Sequence, residues 1–189
     1  MVLLAGGPGM GKTRLAAEFA REVHDQGGWV LYGRCGPEPN DPLQPFTQAL
    51  VGWGAAGGDM PSVWQSPMAF GQGLAGLLAG RPDSAVLLVL DDLHLAQATA
   101  LEALTAVVAT AATRRLLVLG VSRDEAAGGE LAALVERLDP GGAARGRLGP
   151  LNRDEVAKVL AIYGAEATAR EATDPVLERT GGAAGGGDG

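Results

Sequence analysis

Short uninterrupted apolar runs alternate along this chain with longer stretches in which apolar residues recur every three or four positions. The runs are Val2-Leu3-Leu4-Ala5, Trp29-Val30-Leu31-Tyr32, Ala85-Val86-Leu87-Leu88-Val89-Leu90 and Leu116-Leu117-Val118-Leu119-Gly120-Val121, with a weaker one from Arg145 to Leu148. A strand covered on both faces has no solvent side and so loses the apolar–polar alternation, which makes these runs buried strands of a parallel sheet. Helical spacing covers Lys12 to about His24, where Leu15, Ala16, Phe19, Ala20 and Val23 recur before Gly27-Gly28 ends the segment. It also covers Leu43–Trp53, Met68–Leu78, Thr99–Ala112 and Glu130–Leu138, the last with Leu131, Leu134, Val135 and Leu138 on one face. Glycines at 71, 73 and 76 weaken the Met68–Leu78 helix by roughly 1 kcal/mol each. Two further helices are expected at Asn152–Tyr163 and, shorter, at Asp174–Arg179.

Strands alternating with helices make βαβ units, hence an α/β sheet with helices on both faces. The Pro- and Gly-rich stretches Gly36–Pro45 and Gly54–Pro67 are expected to be irregular connections. Residues 1–150 form the expected core, 151–180 the start of a helical subdomain, and 181–189 a disordered tail with almost no side chains to bury.

At 189 residues and 47% hydrophobic composition the chain can build a real core, although only 4% of its residues are aromatic. Its formal charge of −7 repels nucleic acid and anionic membrane, so direct DNA binding by this segment is not expected. The longest apolar run, Ala85 to Leu90, is far short of the roughly 20 residues needed to cross a bilayer. Cys35 is the single cysteine and has no internal disulfide partner, which fits a reducing, cytoplasmic compartment. It has no metal-binding partners at zinc spacing either. Of the 15 basic residues only Lys12 and Lys158 are lysines, so a lysine inside a phosphate motif does not come from a lysine-rich background.

Between the first strand and the first helix stands Gly6-Gly7-Pro8-Gly9-Met10-Gly11-Lys12-Thr13, the spacing of a P-loop. In that pattern backbone N–H groups surround phosphate oxygens, the Lys reaches the β- and γ-phosphates, and the Thr hydroxyl ligates Mg²⁺. The third strand ends in Asp91-Asp92, a Walker B pattern: Asp91 is the Mg²⁺ candidate and Asp92 the residue that orients or deprotonates an attacking water. The plainer reading of Asp92 is a helix cap. The fourth strand ends in Ser122-Arg123, where a cation can report on the γ-phosphate; the plainer reading is a solvated surface charge. Ligands of such sheets sit beyond the carboxyl ends of the strands, so one site can collect all three clusters. His94 and the Arg34-Cys35 pair receive no role from the sequence.

Taken in order, Gly6-Gly7-Pro8-Gly9-Met10-Gly11-Lys12-Thr13-Arg14-Leu15, Gly33-Arg34-Cys35, Pro42-Leu43-Gln44-Pro45-Phe46, Leu90-Asp91-Asp92-Leu93-His94, Ser122-Arg123 and Leu148-Gly149-Pro150-Leu151 resemble the nucleotide-binding domain of STAND ATPases. This is the AAA-type module of large bacterial LuxR-type transcriptional regulators. The resemblance implies a three-layer P-loop NTPase of the ASCE type, a sheet of about five strands in order 5-1-4-3-2, a helical lid, and ATP used as a conformational switch. It implies that Gly6, Gly7, Pro8, Gly9, Met10, Gly11, Lys12, Thr13 and Arg14 bind the nucleotide, that Thr13 and Asp91 hold Mg²⁺, and that Lys12, Asp92 and Arg123 serve hydrolysis. Leu95 and Gln97 depart from the family's usual Trp and acidic residue after Walker B. Gly181-Gly182-Ala183-Ala184 stands where relatives carry a lid motif near the adenine, and the family's upstream segment and its effector and DNA-binding domains are not among these residues, so the sequence reads as a fragment.

The expected function is an ATP-binding, slowly hydrolysing switch module that works with other domains or protomers of a larger signalling regulator. Two alternatives stand beside it: a P-loop kinase acting on a small molecule, and a truncated, non-catalytic nucleotide-binding or interaction module.

Overall fold

The structure is a computed structural model that describes residues 1–37, 41–55, 66–67, 69–70, 73–74, 85–111, 115–123, 129–138, 144–163 and 166–182. Five strands, β1 (Val2–Gly6), β2 (Trp29–Arg34), β3 (Val86–Asp91), β4 (Leu116–Val121) and β5 (Ala144–Leu148), form one sheet in the order β2-β3-β4-β1-β5. Every pairing is parallel. Read from the other edge this is 5-1-4-3-2, the three-layer P-loop NTPase arrangement expected from the sequence. The helices are α1 (Lys12–Asp25), α2 (Gln44–Ala55), α3 (Ala98–Ala111), α4 (Glu130–Leu138), α5 (Arg153–Tyr163) and α6 (Glu166–Thr180), with a 3₁₀ turn at Leu93–Leu95.

The two faces of β3 explain its unbroken apolar sequence. Side chains alternate between faces along a strand, so Val86, Leu88 and Leu90 join a core with Leu31, Phe46, Leu50, Leu104, Val107 and Leu134, while Leu87 and Val89 pack with Ala16, Leu119 and Val121 under α1. Each fully buried Leu or Val contributes about 1.5–3 kcal/mol of burial free energy, and all six positions of β3 are buried.

Several elements differ from expectation at their ends. In α1 the residues facing the sheet are Ala16, Ala20 and Val23, whereas Leu15 and Phe19 are exposed, because each lies one residue, about 100°, round the helix from that stripe. Strand β2 runs two residues past Tyr32, since Cys35 N–H donates to the Asp91 carbonyl and keeps the ladder with β3 closed. Of the expected Met68–Leu78 helix only residues 69, 70, 73 and 74 are described; they are helical, and the Phe70 ring packs against Phe46 with centroids 4.5 Å apart.

At the C-terminal end α5 and α6 pack against each other. A reciprocal cap starts α5: the Asn152 side chain accepts from Glu155 N–H at 3.0 Å and Glu155 accepts from Asn152 N–H at 2.8 Å. Helix α6 begins eight residues before the expected Asp174 and continues through Pro175. Gly181 and Gly182, expected to open a disordered tail, instead close α6: Gly181 N–H donates to Leu177 O, and Leu151 N–H donates to Gly182 O at 2.7 Å. Residues 183–189 lie outside the described residues.

Candidate functional site

The turn from β1 to α1 is shaped by two glycines in the left-handed region, Gly9 at φ 73° and Gly11 at φ 82°. An L side chain adopts that backbone only with strain, so the loop needs glycine there. Gly11 precedes α1 and carries no side chain to cap it, and the first turn, Lys12-Thr13-Arg14-Leu15, contains no acid. The N-terminal amides of α1 and its positive dipole end are therefore left for an anionic ligand. Pro8 and Gly9 form the exposed crest, with Gly7 and Met10 partly buried on either side. Gly6 is buried at the end of β1 against β5, and Arg14 is exposed on the first turn of the helix. Lys12 folds back over the loop and donates to the Gly7 carbonyl at 2.7 Å.

Asp91 ends β3 and is buried, 3% exposed. Its carboxylate accepts from the Thr13 hydroxyl, 3.1 and 3.3 Å from the two oxygens, and from the Tyr32 phenol at 3.2 Å. Burial, then the neighbouring Asp91 charge, raises the Tyr32 phenol above its ordinary pKa. Among the described residues no group of three or more His, Cys, Asp or Glu can hold a metal alone. A hydroxyl beside a carboxylate is instead a hard-oxygen pair that fits Mg²⁺, which takes few protein ligands and completes its shell with phosphate oxygens and water.

Asp92 has φ 52° and makes no side-chain cap, so the helix-cap reading does not hold. Its carboxylate lies against Arg34, with Nε and a terminal nitrogen each 2.8 Å from Oδ2. That bond raises the Arg34 pKa further. Arg34 stands opposite Asp91 in the β2–β3 register, and its own N–H donates to the Gln48 side chain at 3.1 Å.

Ser122 is buried and its N–H donates to the Leu4 carbonyl, which fastens the end of β4 beside the start of the loop. Arg123 next to it is exposed. It lines a cavity with Leu3, Ala5, Leu131, Val135 and Arg147. Its charge is felt at His94, together with those of Lys12, Asp91 and Asp92. The structure thus brings Lys12, Thr13, Asp91 and Asp92 to one edge of the sheet, with Arg123 on the cavity side of the same edge.

Three further residues at this edge escaped sequence reasoning: Tyr32, Arg34 and His94. For Tyr32 and Arg34 the missing signal was adjacency. That β2 lies next to β3, in a register pairing Tyr32 with Val89 and Arg34 with Asp91, follows from the sheet and from no local pattern. Cys35, just beyond, is buried, and burial pushes its thiol pKa up to about 12.

Residues 1–119 match the AAA ATPase domain. Among solved structures the chain is similar to AMPPCP-bound DnaA from Aquifex aeolicus, at 19% identity and TM-score 0.58, covering 95% of this chain and 50% of that one. It is also similar to the Aeropyrum pernix ORC2 protein in its ADP form, at 17% identity and TM-score 0.62, covering 97% and 53%. A third, Cdc6p from Pyrobaculum aerophilum, matches at 19% identity and TM-score 0.57, covering 92% and 47%. The chain spans about half the length of these structures. No curated protein matches it.

Proposed function

The chain belongs to the AAA ATPase domain family, and from that premise we propose that it is an ATP-binding, slowly hydrolysing switch module of a larger cytoplasmic signalling or transcription regulator of the LuxR-associated STAND type. The observation that carries the reading is the convergence of Lys12, Thr13, Asp91 and Asp92 beside a helix N-terminus whose amides no side chain caps.

In this reading the backbone of residues 6–13 surrounds the phosphates and Arg14 borders them. Lys12 exchanges the Gly7 carbonyl for a phosphate oxygen, a stronger charge-assisted partner. Thr13 and Asp91 would hold Mg²⁺ in place of their mutual hydrogen bond. When bound, the ion would neutralise charge on the phosphates. Asp92 orients the attacking water and takes its proton, and Arg123 approaches the γ-phosphate from the end of β4. Slow turnover follows from the Arg34–Asp92 pair, because the carboxylate must leave a guanidinium at 2.8 Å before it can serve water. The helices of residues 151–180 are the beginning of a lid over residues 1–150, the core. STAND membership rests on the ordered set Gly33-Arg34-Cys35, Leu90-Asp91-Asp92-Leu93-His94 and Leu148-Gly149-Pro150-Leu151.

Lys12→Ala is the test. Calorimetric titration with Mg²⁺–ATP is expected to show a loss of affinity of about a hundredfold, with an unchanged thermal melt. Equal binding by the variant and the parent would sink the proposal.

A further inference from the structure

Each of the two carboxylates at the end of β3 is held from the neighbouring strand. Arg34 holds Asp92, and Tyr32, two residues earlier on β2, holds Asp91. Side chains alternate along a strand, so Tyr32 stands on the same face as Val30, which packs against the cluster under α1, and Asp91 on the same face as Val89 of that cluster. The register pairs Tyr32 with Val89, which puts Asp91 one side-chain repeat further along and one strand across, about 6.6 Å by about 4.8 Å. A phenol and a carboxylate together span that diagonal. The opposite face of β2 is clamped: Gly33 is buried, and a Cβ there would stand 1.8 Å from the Pro45 carbonyl oxygen at the start of α2, so only glycine lets the backbone lie there. Tyr32 is thereby mounted beside a fixed point of the strand, although the residue is 47% exposed.

The donors to Asp91 divide between its two oxygens. Oδ1 accepts from Asp92 N–H at 2.9 Å and Oδ2 from the Tyr32 hydroxyl at 3.2 Å, with the Thr13 hydroxyl lying across both at 3.3 and 3.1 Å. When Thr13 turns to a cation, Asp92 N–H and Tyr32 remain, one on each oxygen. A carboxylate gripped at both oxygens cannot rotate about its Cβ–Cγ bond without breaking one of those bonds. Its orientation matters most to a small cation that demands near-ideal octahedral geometry, as Mg²⁺ does. Groups that orient a ligating carboxylate in this way contribute to metal affinity without touching the metal.

We infer that Tyr32 is a positioning residue for the metal, orienting Asp91 so that the site takes up Mg²⁺ together with the nucleotide. The inference rests on the nucleotide-binding reading above. It adds that β2, which contributes nothing to the phosphate loop, tunes the metal affinity of the site from the side.

Tyr32→Phe removes the hydroxyl and keeps the ring. Binding of a non-hydrolysable ATP analogue to the parent and the variant is measured by calorimetry across a series of Mg²⁺ concentrations and in EDTA. The Mg²⁺ concentration at half-effect is expected to rise about tenfold in the variant, the low end for losing a group that orients a metal ligand, since the residue is half exposed. Affinity in EDTA and the metal-free thermal melt are expected to stay unchanged, because Asp91 acts on the nucleotide through the metal. With Mn²⁺ in place of Mg²⁺, the electron paramagnetic resonance lines of the bound ion are expected to broaden in the variant as the carboxylate loosens. An unchanged Mg²⁺ requirement would overturn the inference, and so would an equal loss of affinity with and without Mg²⁺, which assigns Tyr32 a packing role. If the parent chain binds no nucleotide, or binds it without any effect of Mg²⁺, the nucleotide reading itself fails and takes this inference with it; a variant that matches a Mg²⁺-responsive parent sinks this inference alone.

Discussion

β3 and β5 belong to the same parallel sheet, separated by β4 and β1, and they are built from opposite materials. Every residue of β3 is buried, and it ends in the two carboxylates of the site. β5 is Ala144-Arg145-Gly146-Arg147-Leu148, an edge strand with three exposed and two partly buried positions and no stretch of apolar sequence. The central strand is specified by what it buries. The edge strand is specified by what it pairs with, through a register along β1 that runs from Val2↔Ala144 to Gly6↔Leu148. Chemistry follows the same division: the central strand carries the groups that must be held to a fraction of an ångström, and the edge carries two exposed arginines.

The largest effect expected from this contrast is chemical. Cys35 follows β2 against β3, and a thiol pKa near 12 in place of 9 leaves about a thousandfold less thiolate at pH 8. The native chain should react with a thiol-specific disulfide reagent at least about tenfold more slowly than the same chain in denaturant, since the higher nucleophilicity of a more basic thiolate offsets only part of its scarcity. Comparable rates would show that the β2–β3 edge opens freely. Next in size is stability. Leu90→Ala, at a side chain 0% exposed, is expected to cost about 3 kcal/mol in urea unfolding, whereas Arg145→Ala on β5 should stay within about 0.5 kcal/mol. A similar loss in both variants would mean that β5 is not an edge.

What could be read in the sequence divides along the same line. The strands with continuous apolar runs, the P-loop and the Asp91-Asp92 pair were legible because burial and phosphate binding each demand particular residues at fixed spacing. Arg34 and Tyr32 were not, because their importance depends on which strand lies beside theirs. His94 was visible as a residue, whereas the burial of its unpartnered Nδ1 depends on the folded turn and shows in no local pattern. The length of α6 was hidden by Pro175, whose missing N–H argues against helix locally and is outweighed here by packing on α5.

A smaller effect tests whether the site is held as firmly as the strand that bears it. Arg34→Ala removes the guanidinium from Asp92 while leaving β3 untouched, and the pair is partly exposed, so its release should raise ATP turnover by only about fivefold. Phosphate release under saturating nucleotide measures it. Lower turnover in the variant would give Arg34 a supporting role in hydrolysis in place of a restraining one.

The smallest effect lies farthest from the sheet. Arg153 and Asp174 join α5 to α6 through two hydrogen bonds of 2.8 and 2.9 Å, both side chains being well exposed. The bond to Arg153 holds the Asp174 carboxyl below its ordinary pKa in the folded chain. A depressed carboxylate pKa stabilises the fold above the unfolded pKa, and that contribution disappears as the pH falls through the folded value. The difference in amide protection of α5 and α6 between the parent and Asp174→Asn should therefore be small at pH 6, shrink with added salt, and vanish once the pH drops below the acidic carboxylate range. A difference that persists at low pH would mean that the helices are joined by the packing of Val156 and Thr173, both buried, and that the ion pair contributes nothing separable.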